Sequence, residues 1–457
     1  MMITPRFTNS ALALVGLAMI ALSIEGVREF QHFVVGFGWV AMLQALLYLV
    51  AVWLVLNGQV DRRTLMVIVA CAVACRLVCV FSAPYFSTDI YRYVWDGKVQ
   101  AAGINPYLYA PADSHLAFLR DLSIYPHINR RDYAHTIYPP GAQILFLLIT
   151  RISTSVIWMK ICMVALELSA IPILVRWLTA LGVRREQVLL YAWHPLLLWE
   201  VASSGHVDAA ALPLIALALL FYLRNKPVGV GAALAGATLI KLYPIAVFPA
   251  LYRRSRWRDW KMPVVLVAII TAGYACYLSV GIRVLGFLPD YAKEEGMESG
   301  SRYFLLTLAR QVLHRDTLPT SAFYAFAALL LLGLSLWAFL RSEASPLAAV
   351  RCSFALAAAL MLLFSSHYPW YYLWLLPFLC AIPYLPMLYF VTASFYLYTT
   401  QLANPGPAMY YMFEWLYGTT AALALYSILR GTYERKSFRN ASGAGRTAKD
   451  AAVLRKA

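Results

Sequence analysis

The chain has 457 residues, of which 61% are hydrophobic and only 13% are charged, and its mean hydropathy is +0.65. This composition excludes a soluble globular protein, which needs more charge on its surface. The net charge of +16 does not indicate a nucleic-acid ligand, because the basic residues lie in short segments between apolar runs and leave no soluble domain to hold one. We therefore predict an all-α, polytopic integral membrane protein that binds no nucleic acid.

Apolar runs of about 20 residues, the length that crosses about 30 Å of hydrocarbon, recur along the chain. Each run is predicted to be helical, because backbone in lipid must satisfy its hydrogen bonds within the segment. Together with shorter runs, they predict about 12–14 transmembrane or re-entrant helices. The predicted spans lie near 9–24, 34–56, 64–83, 138–150, 156–181, 187–201, 207–223, 227–250, 262–281, 321–340, 347–365, 370–388, 388–402 and 412–430.

The basic segments at 61–63, 184–185 and 253–261 follow the positive-inside pattern and are predicted to be cytoplasmic. Residues 1–60 then form an N-terminal transmembrane hairpin, because no cleavage site follows the first apolar run. The long segment 84–137 faces the exterior. The basic tail at 431–457 is predicted to be cytoplasmic and disordered.

The seven cysteines are scattered through apolar runs, and three of them, Cys71, Cys75 and Cys79, recur at helical spacing. None lies in a CxxC pair. Small packing residues are therefore the favoured interpretation over a metal site or a disulfide.

The stretch "TDIYRYVWDG" opens the external segment 84–137 with several ionisable groups. In a helix, Asp89, Arg92, Tyr93 and Asp96 fall at i, i+3, i+4 and i+7, which places them on one polar face. The spacing fits either an amphipathic surface helix with an Asp–Arg pair or an active site.

Further polar residues interrupt the apolar runs in the middle of the chain. His206 and Asp208 precede a span, where they could contact a substrate or be structural. Glu167 and Lys241 lie inside apolar segments, where charge is costly. Lys241 and Pro244 would break 227–250 into a re-entrant pair of short helices, although a single tilted span is the alternative. In the re-entrant arrangement, Lys241 is expected below the external cleft.

Two later segments carry the remaining candidates. The region 282–320 is a second external loop, in which Arg302 is a candidate phosphate ligand. His367 is followed by Trp370 and Tyr371, which could form a platform for a sugar or isoprenoid. The alternative interpretation is an aromatic belt at the membrane interface.

Five motifs occur in a fixed order: "TDIYRYVWDGKVQAAGINPYLYAP", "YPPGAQ", "HPLLLWEVASSGHVDAAALPL", "IKLYP" and "SHYPWYYLWLLPF". Together they resemble the polyprenol-phosphate-mannose-dependent mannosyltransferases of the GT-C superfamily, in particular bacterial α-1,6-mannopyranosyltransferase-like proteins. The resemblance runs from about 64 to 390. One departure is the pair of spans that precedes the span leading into the catalytic loop, where the usual core has one.

The resemblance implies a GT-C catalytic domain at 61–430 in a bacterial plasma membrane, with its cleft facing the periplasm. Asp89 would act as general base on a glycan, lipid or other acceptor, and a polyprenyl-phosphate sugar, mannose by analogy, would be the donor. The expected substrate-binding residues are Arg92, Tyr93, Asp96, Tyr138, His206, Asp208, Arg302, His367, Trp370 and Tyr371.

A lipid phosphate is a good leaving group, so one essential carboxylate suffices for this chemistry, in contrast to the carboxylate pair of glycoside hydrolases. The sequence contains no DxD motif of the kind found in nucleotide-sugar enzymes, so no nucleotide is expected at the active site. A divalent cation shared by Asp89 and Asp96 stays open as a cofactor. A transporter or flippase of lipid-linked sugars is the alternative function. It predicts internal repeats, which the sequence does not show, and ionisable residues near the midplane of several spans, whereas most of the candidate charges here gather in loops at one face. A third possible function, that of an assembly factor, would leave the charged residues of the segment 84–137 unexplained.

Overall fold

The computed structural model describes residues 4–29, 35–315, 317–398 and 408–430. These residues are mostly helical and contain no β-strand. The predicted all-α membrane class is therefore confirmed. The basic tail at 431–457 lies outside the described residues.

The first half of the chain contributes the helices of the N-terminal hairpin and those that surround the segment 84–137. They are α1 (Pro5–Glu29), α2 (Val35–Asn57), α3 (Arg62–Val80), α4 (Asp89–Ala101), α5 (Pro140–Thr150), α6 (Val156–Leu181), α7 (Leu189–Ala192), α8 (Pro195–Leu197), α9 (Asp208–Leu223), and α10 (Pro227–Ile240). The second half contributes α11 (Phe248–Leu251), α12 (Lys261–Ala275), α13 (Leu288–Glu294), α14 (Phe304–Val312), α15 (Thr320–Arg341), α16 (Pro346–Phe364), α17 (Leu376–Ala381), α18 (Leu385–Ala393), and α19 (408–430).

Six helices among the described residues are long and apolar enough to cross a membrane, or seven if the bent pair formed by 257–275 and 278–294 is one span. Shorter apolar helices, including α5, α9 and α10, account for several of the remaining predicted runs. The chain therefore combines full-length spans with helices that stop partway and position residues inside the fold.

The N-terminal hairpin packs into the same hydrophobic core as the rest of the chain. Tyr48 on α2 donates a hydrogen bond to the carbonyl of Leu190 at 2.9 Å, and Gln44 accepts one from the Trp199 indole at 2.7 Å. Buried polar groups need such partners. The predicted division between 1–60 and 61–430 stays a prediction.

The buried charge at Glu167, which the sequence left without a partner, forms an ion pair with Arg76. The Arg76 guanidinium on α3 contacts both carboxylate oxygens on α6, at 2.6 and 2.9 Å, and both side chains are fully buried. Arg76 also donates to the carbonyls of Ala72 and Ala192. The pair therefore fastens α3 to α6 in the core.

A fully buried, irregular segment runs through the centre of the molecule between α6 and α9. It contains α7, α8 and a π-helix, Leu198–Ser203, and it ends at Gly205. Gly205 has φ +76, and a Cβ there would lie 2.3 Å from Ile90 of α4. Glycine at this position therefore permits the close approach of the backbone to α4 just before His206.

The segment 227–250 is broken at Lys241, as in the re-entrant alternative of the sequence analysis. Helix α10 ends at Ile240, Lys241 is extended, and a 3-10 turn and α11 follow. The chain then returns to its starting level, because Arg253 donates to the carbonyl of Tyr222 at 2.7 Å. One detail of the expectation is wrong: Lys241 at the break does not lie below the cleft but lines it.

Basic loops gather at one end of the bundle. Arg184 donates to Gly58 at 3.0 Å, and Arg254 donates to Leu340 at 3.3 Å, while Asn9 near the start of α1 contacts Asp61 at 3.0 Å. Helices α3 and α9 begin and end respectively at this level. Their opposite ends lead into a polar cavity.

Candidate active site

A cavity of about 280 Å³ lies at the end of the molecule opposite the basic loops. Its wall combines the start of α4, the later part of the segment 84–137, the break after α10, the region 282–320 and the aromatic segment after α16. The lining residues that matter below are Asp89, Arg92, Asn129, Arg130, Tyr138, Lys241, Tyr291, Tyr368, Trp370 and Tyr371. Of the predicted site residues, this set includes Asp89, Arg92, Tyr138, Trp370 and Tyr371.

Asp89 is the first residue of α4 and lines the cavity. Its Oδ1 accepts a hydrogen bond from the Asn129 side chain at 2.8 Å, and its backbone N–H donates to the Ser87 hydroxyl at 3.2 Å. Acidic side chains are favoured in the first turn of a helix by the helix dipole. The carboxylate is thus held at the cavity by a neutral donor.

Arg92 and Asp96 form the ion pair that the spacing allowed. Arg92 Nε contacts Asp96 Oδ1 at 2.7 Å, both side chains are buried, and Gln143 donates to the other Asp96 oxygen at 2.9 Å. Arg92 also donates to the Ala134 carbonyl at 3.0 Å, which ties α4 to the later part of the segment 84–137. Asp96 therefore positions Arg92, and its partners differ from those of Asp89.

Lys241 and Asp208 form a second ion pair at the edge of the cavity. Lys241 Nζ lies 3.2 Å from Asp208 Oδ2, and the Tyr243 hydroxyl donates to Asp208 Oδ1 at 2.5 Å. The ammonium also faces the ring of Tyr371, 5.1 Å from its centroid. Asp208 thus orients the Lys241 ammonium and does not line the cavity itself.

An apolar groove of about 480 Å³ meets the polar cavity at Lys241. Its far wall comes from α13 and α16, with Leu288, Met297, Leu360 and Phe364 among its lining residues. Ile137, Tyr138, Lys241, Tyr291 and Tyr371 line both spaces. A ligand with a charged head and an apolar chain would therefore find complementary surfaces on the two sides of Lys241.

His206 lies behind the cavity wall. It is fully buried, and its ring stacks on Trp370 with the centroids 4.1 Å apart. Its Nε2 lies 3.3 Å from Glu200 Oε2, which also accepts from Tyr398 at 3.0 Å. Burial, followed by the positive charge of Lys241, lowers the pKa of His206 well below its usual value. Trp370, and not His206, lines the cavity.

His367 and Arg302 are close to the site but behind its surface. The His367 ring packs against Phe413 of α19, and burial, followed by Arg302, lowers the pKa of His367 to about 4. Arg302 is fully buried, forms an ion pair with Glu295 and lies over the Phe364 ring. Next to His367, Tyr368 faces the cavity and donates to Glu295 at 2.9 Å.

The region 282–320 is docked on the segment 84–137. Arg130 pairs with Glu294 at 2.7 Å, and the Phe287 N–H donates to the Thr136 carbonyl at 3.2 Å. Gly286, at φ +57, allows that contact, because a Cβ there would lie 1.7 Å from the Thr136 oxygen. This docking brings Tyr291 to the cavity wall.

Most of the residues that the sequence analysis predicted for the site lie at this end of the molecule. Some of them, however, lie behind the cavity wall and do not line the cavity. Tyr93 is fully buried and stacks on Phe146, so it supports α4. Asn129 and Tyr291 were missed, because nothing in their spacing marks them. Lys241 carried a usable signal: a lone lysine at a break between two apolar stretches.

Residues 14–254, slightly more than half of the chain, match the MptA/B family, described as alpha-(1->6)-mannopyranosyltransferase, N-terminal domain. The matched range includes α4, Asn129, Asp208 and Lys241, and it ends before the region 282–320. No curated protein matches the chain.

Proposed function

The chain belongs to the MptA/B family of alpha-(1->6)-mannopyranosyltransferases and is a membrane mannosyltransferase, and we propose that it takes mannose from a polyprenyl phosphate. The acceptor is a hydroxyl of a glycan or lipid, and the family description favours an α-(1→6) linkage. The observation that carries this donor assignment is the junction of the polar cavity and the apolar groove at Lys241.

In the proposed reaction, the acceptor oxygen attacks the anomeric carbon of mannose and gives its proton to the Asp89 carboxylate. The bond between the anomeric carbon and the phosphate oxygen breaks, and polyprenyl phosphate leaves with one additional negative charge. General-base catalysis of this kind contributes about 10²–10⁴-fold in rate. Asp89 suits the role because it lines the cavity and is held by a neutral amide.

Lys241 is assigned to the departing phosphate, with Asp208 and Tyr243 holding the ammonium in place. A fixed cation aimed at developing negative charge stabilises a transition state without reorganisation. Arg92 and Arg130 add positive charge to the same cavity. The isoprenoid chain would run from Lys241 into the groove between α13 and α16, and Trp370 and Tyr371 would contact the sugar.

The proposed orientation places the cavity outside a bacterial plasma membrane and the C-terminus in the cytoplasm. Its support is the gathering of basic loops at one end of the bundle and of the cavity at the other, since basic loops are retained in the cytoplasm. An impermeant thiol reagent on intact cells should label a cysteine placed at Ser114 but not one placed at Ser437.

The donor assignment is tested with purified protein, radiolabelled polyprenyl-phosphate-mannose, GDP-mannose and a panel of glycan and lipid acceptors. We expect transfer from the lipid donor alone. Transfer from GDP-mannose alone would refute the role of Lys241 and the groove, and transfer from neither donor would remove the proposed reaction. Movement of the intact lipid-linked sugar across proteoliposomes without transfer would instead favour the flippase alternative.

A further inference from the structure

Asp89 is held by an uncharged partner although three cationic side chains line the same cavity. The nearest arginine on its own helix, Arg92, is occupied by Asp96 at 2.7 Å. Lys241 is occupied by Asp208, and Arg130 by Glu294 and Glu295. The hydrogen bond that Asp89 accepts from a side chain comes from Asn129 Nδ2, at 2.8 Å.

This arrangement matters for a base. A cation in direct contact favours the ionised carboxylate so strongly that its affinity for a proton falls. An amide N–H orients the carboxylate at a much smaller cost in basicity, and it binds one oxygen only. Asn129 contacts Oδ1, so Oδ2 is left to face the acceptor hydroxyl.

Asn129 is itself held in place by the residues around it. The preceding Ile128 is buried, and the His127 ring stacks on Tyr91 of α4 with the centroids 4.7 Å apart. The following Arg130 has φ +51, a left-handed conformation that is uncommon outside glycine, and its side chain pairs with the second external loop. The backbone on both sides of Asn129 is therefore fixed by α4 and by that loop.

From these contacts we propose that Asn129 is a positioning residue, which orients Asp89 for proton abstraction and makes that orientation depend on the docking of the second external loop through Arg130. The inference rests on the proposed role of Asp89 as base. In this proposal, the pairing of Arg130 with Glu294 and Glu295 does more than hold two loops together. It also sets the orientation of the Asp89 carboxylate.

The test uses the purified full-length protein with polyprenyl-phosphate-mannose and an acceptor that supports transfer. Asn129→Ala should lower kcat about 10- to 150-fold, the effect of losing one hydrogen bond to a charged group, and leave the donor KM within about twofold. Asn129→Asp should move the pH–rate profile upward by about one to two pH units, because a second carboxylate beside Asp89 makes full ionisation of the pair harder.

The other ionisable groups around this cavity are Arg92 on α4, Tyr85, Arg130, His135 and Tyr138 in or beside the segment 84–137, Asp208 and Lys241 at the α9–α10 hairpin, Tyr291, Glu294 and Glu295 in the region 282–320, and Tyr368 and Tyr371 after α16. All of them are unchanged in the Asn129 variants. Asn105→Ala is the matched control, because Asn105 belongs to the same external segment and contacts Ser279 at 2.9 Å, away from Asp89. It should keep both kcat and the pH profile.

The outcomes separate the two proposals. Full activity of Asp89→Asn would refute the base itself, and with it the proposed mechanism. An inactive Asp89→Asn together with wild-type kcat and pH profile in both Asn129 variants would overturn only the positioning role. Loss of activity in Asn129→Asp with a lower melting temperature and an unshifted profile would show that Asn129 is merely structural, which also overturns the inference.

Discussion

Two buried ion pairs, Arg76–Glu167 and Lys241–Asp208, illustrate different uses of charge in a mostly apolar chain. The first is bidentate, fully buried and surrounded by the core, with contacts of 2.6 and 2.9 Å. The second has a single contact of 3.2 Å, and its lysine lines both the cavity and the groove. Access to a cavity, not burial of charge alone, separates the pair to which we assign a function from the structural pair.

Breaking the core pair should have the largest effect on stability. Arg76→Met leaves the Glu167 carboxylate buried without its partner, which typically costs about 3–5 kcal/mol. We expect poor yield or a marked fall in melting temperature in detergent.

The matched control for that change is the double variant Arg76→Met with Glu167→Leu. Replacing both members of a buried pair by apolar side chains is often neutral, so the double variant should recover most of the stability. A double variant as unstable as Arg76→Met would show that the backbone contacts of Arg76 to Ala72 and Ala192, and not the pair, carry the effect.

Breaking the cavity pair should affect donor use more than stability. Lys241→Met removes a cation from the departing phosphate, and we expect transfer at limiting donor to fall about 10- to 150-fold, which corresponds to ~1.5–3 kcal/mol. Asp208 keeps its bond from Tyr243, so the loss of melting temperature should be smaller than for Arg76→Met. Lys241→Arg retains the charge and should retain more activity than Lys241→Met. Equal activity of Lys241→Met and wild type would show that the phosphate does not bind at Lys241.

His367 gives a smaller effect, on pH dependence. Its pKa is lowered to about 4 in the folded protein, by burial and then by Arg302, against about 6.5 in an unfolded chain. The unfolded chain therefore takes up a proton that the folded protein excludes, so stability is fully present above about pH 6.5 and is lost as pH falls toward 4. Between pH 7 and 5, wild type should lose about 2 kcal/mol more stability than His367→Gln in detergent melting experiments, as the two pKa values imply; equal losses would contradict this.

The sequence predicted the helical membrane class and the polar face of α4, because hydrophobic run length and helical spacing are local properties. Lys241 and Pro244 also indicated the break in 227–250, which the structure shows. The sequence could not place Lys241 in the cavity or pair Glu167 with Arg76, since these depend on contacts between residues far apart in the chain. The sequence suggested that His206 and His367 contact the substrate. In the structure, Trp370, which packs on His206, and Tyr368, which follows His367, line the cavity instead.

The central claim is that Asp89 is the base of the transfer reaction, and one substitution tests it most directly. Asp89→Asn preserves shape, and the protein should keep a melting temperature close to wild type. Turnover on polyprenyl-phosphate-mannose should fall about 10²-fold or more, whereas Asp96→Asn, which loosens Arg92, should cost less turnover and more stability. A stable Asp89→Asn protein with unchanged turnover would contradict the account.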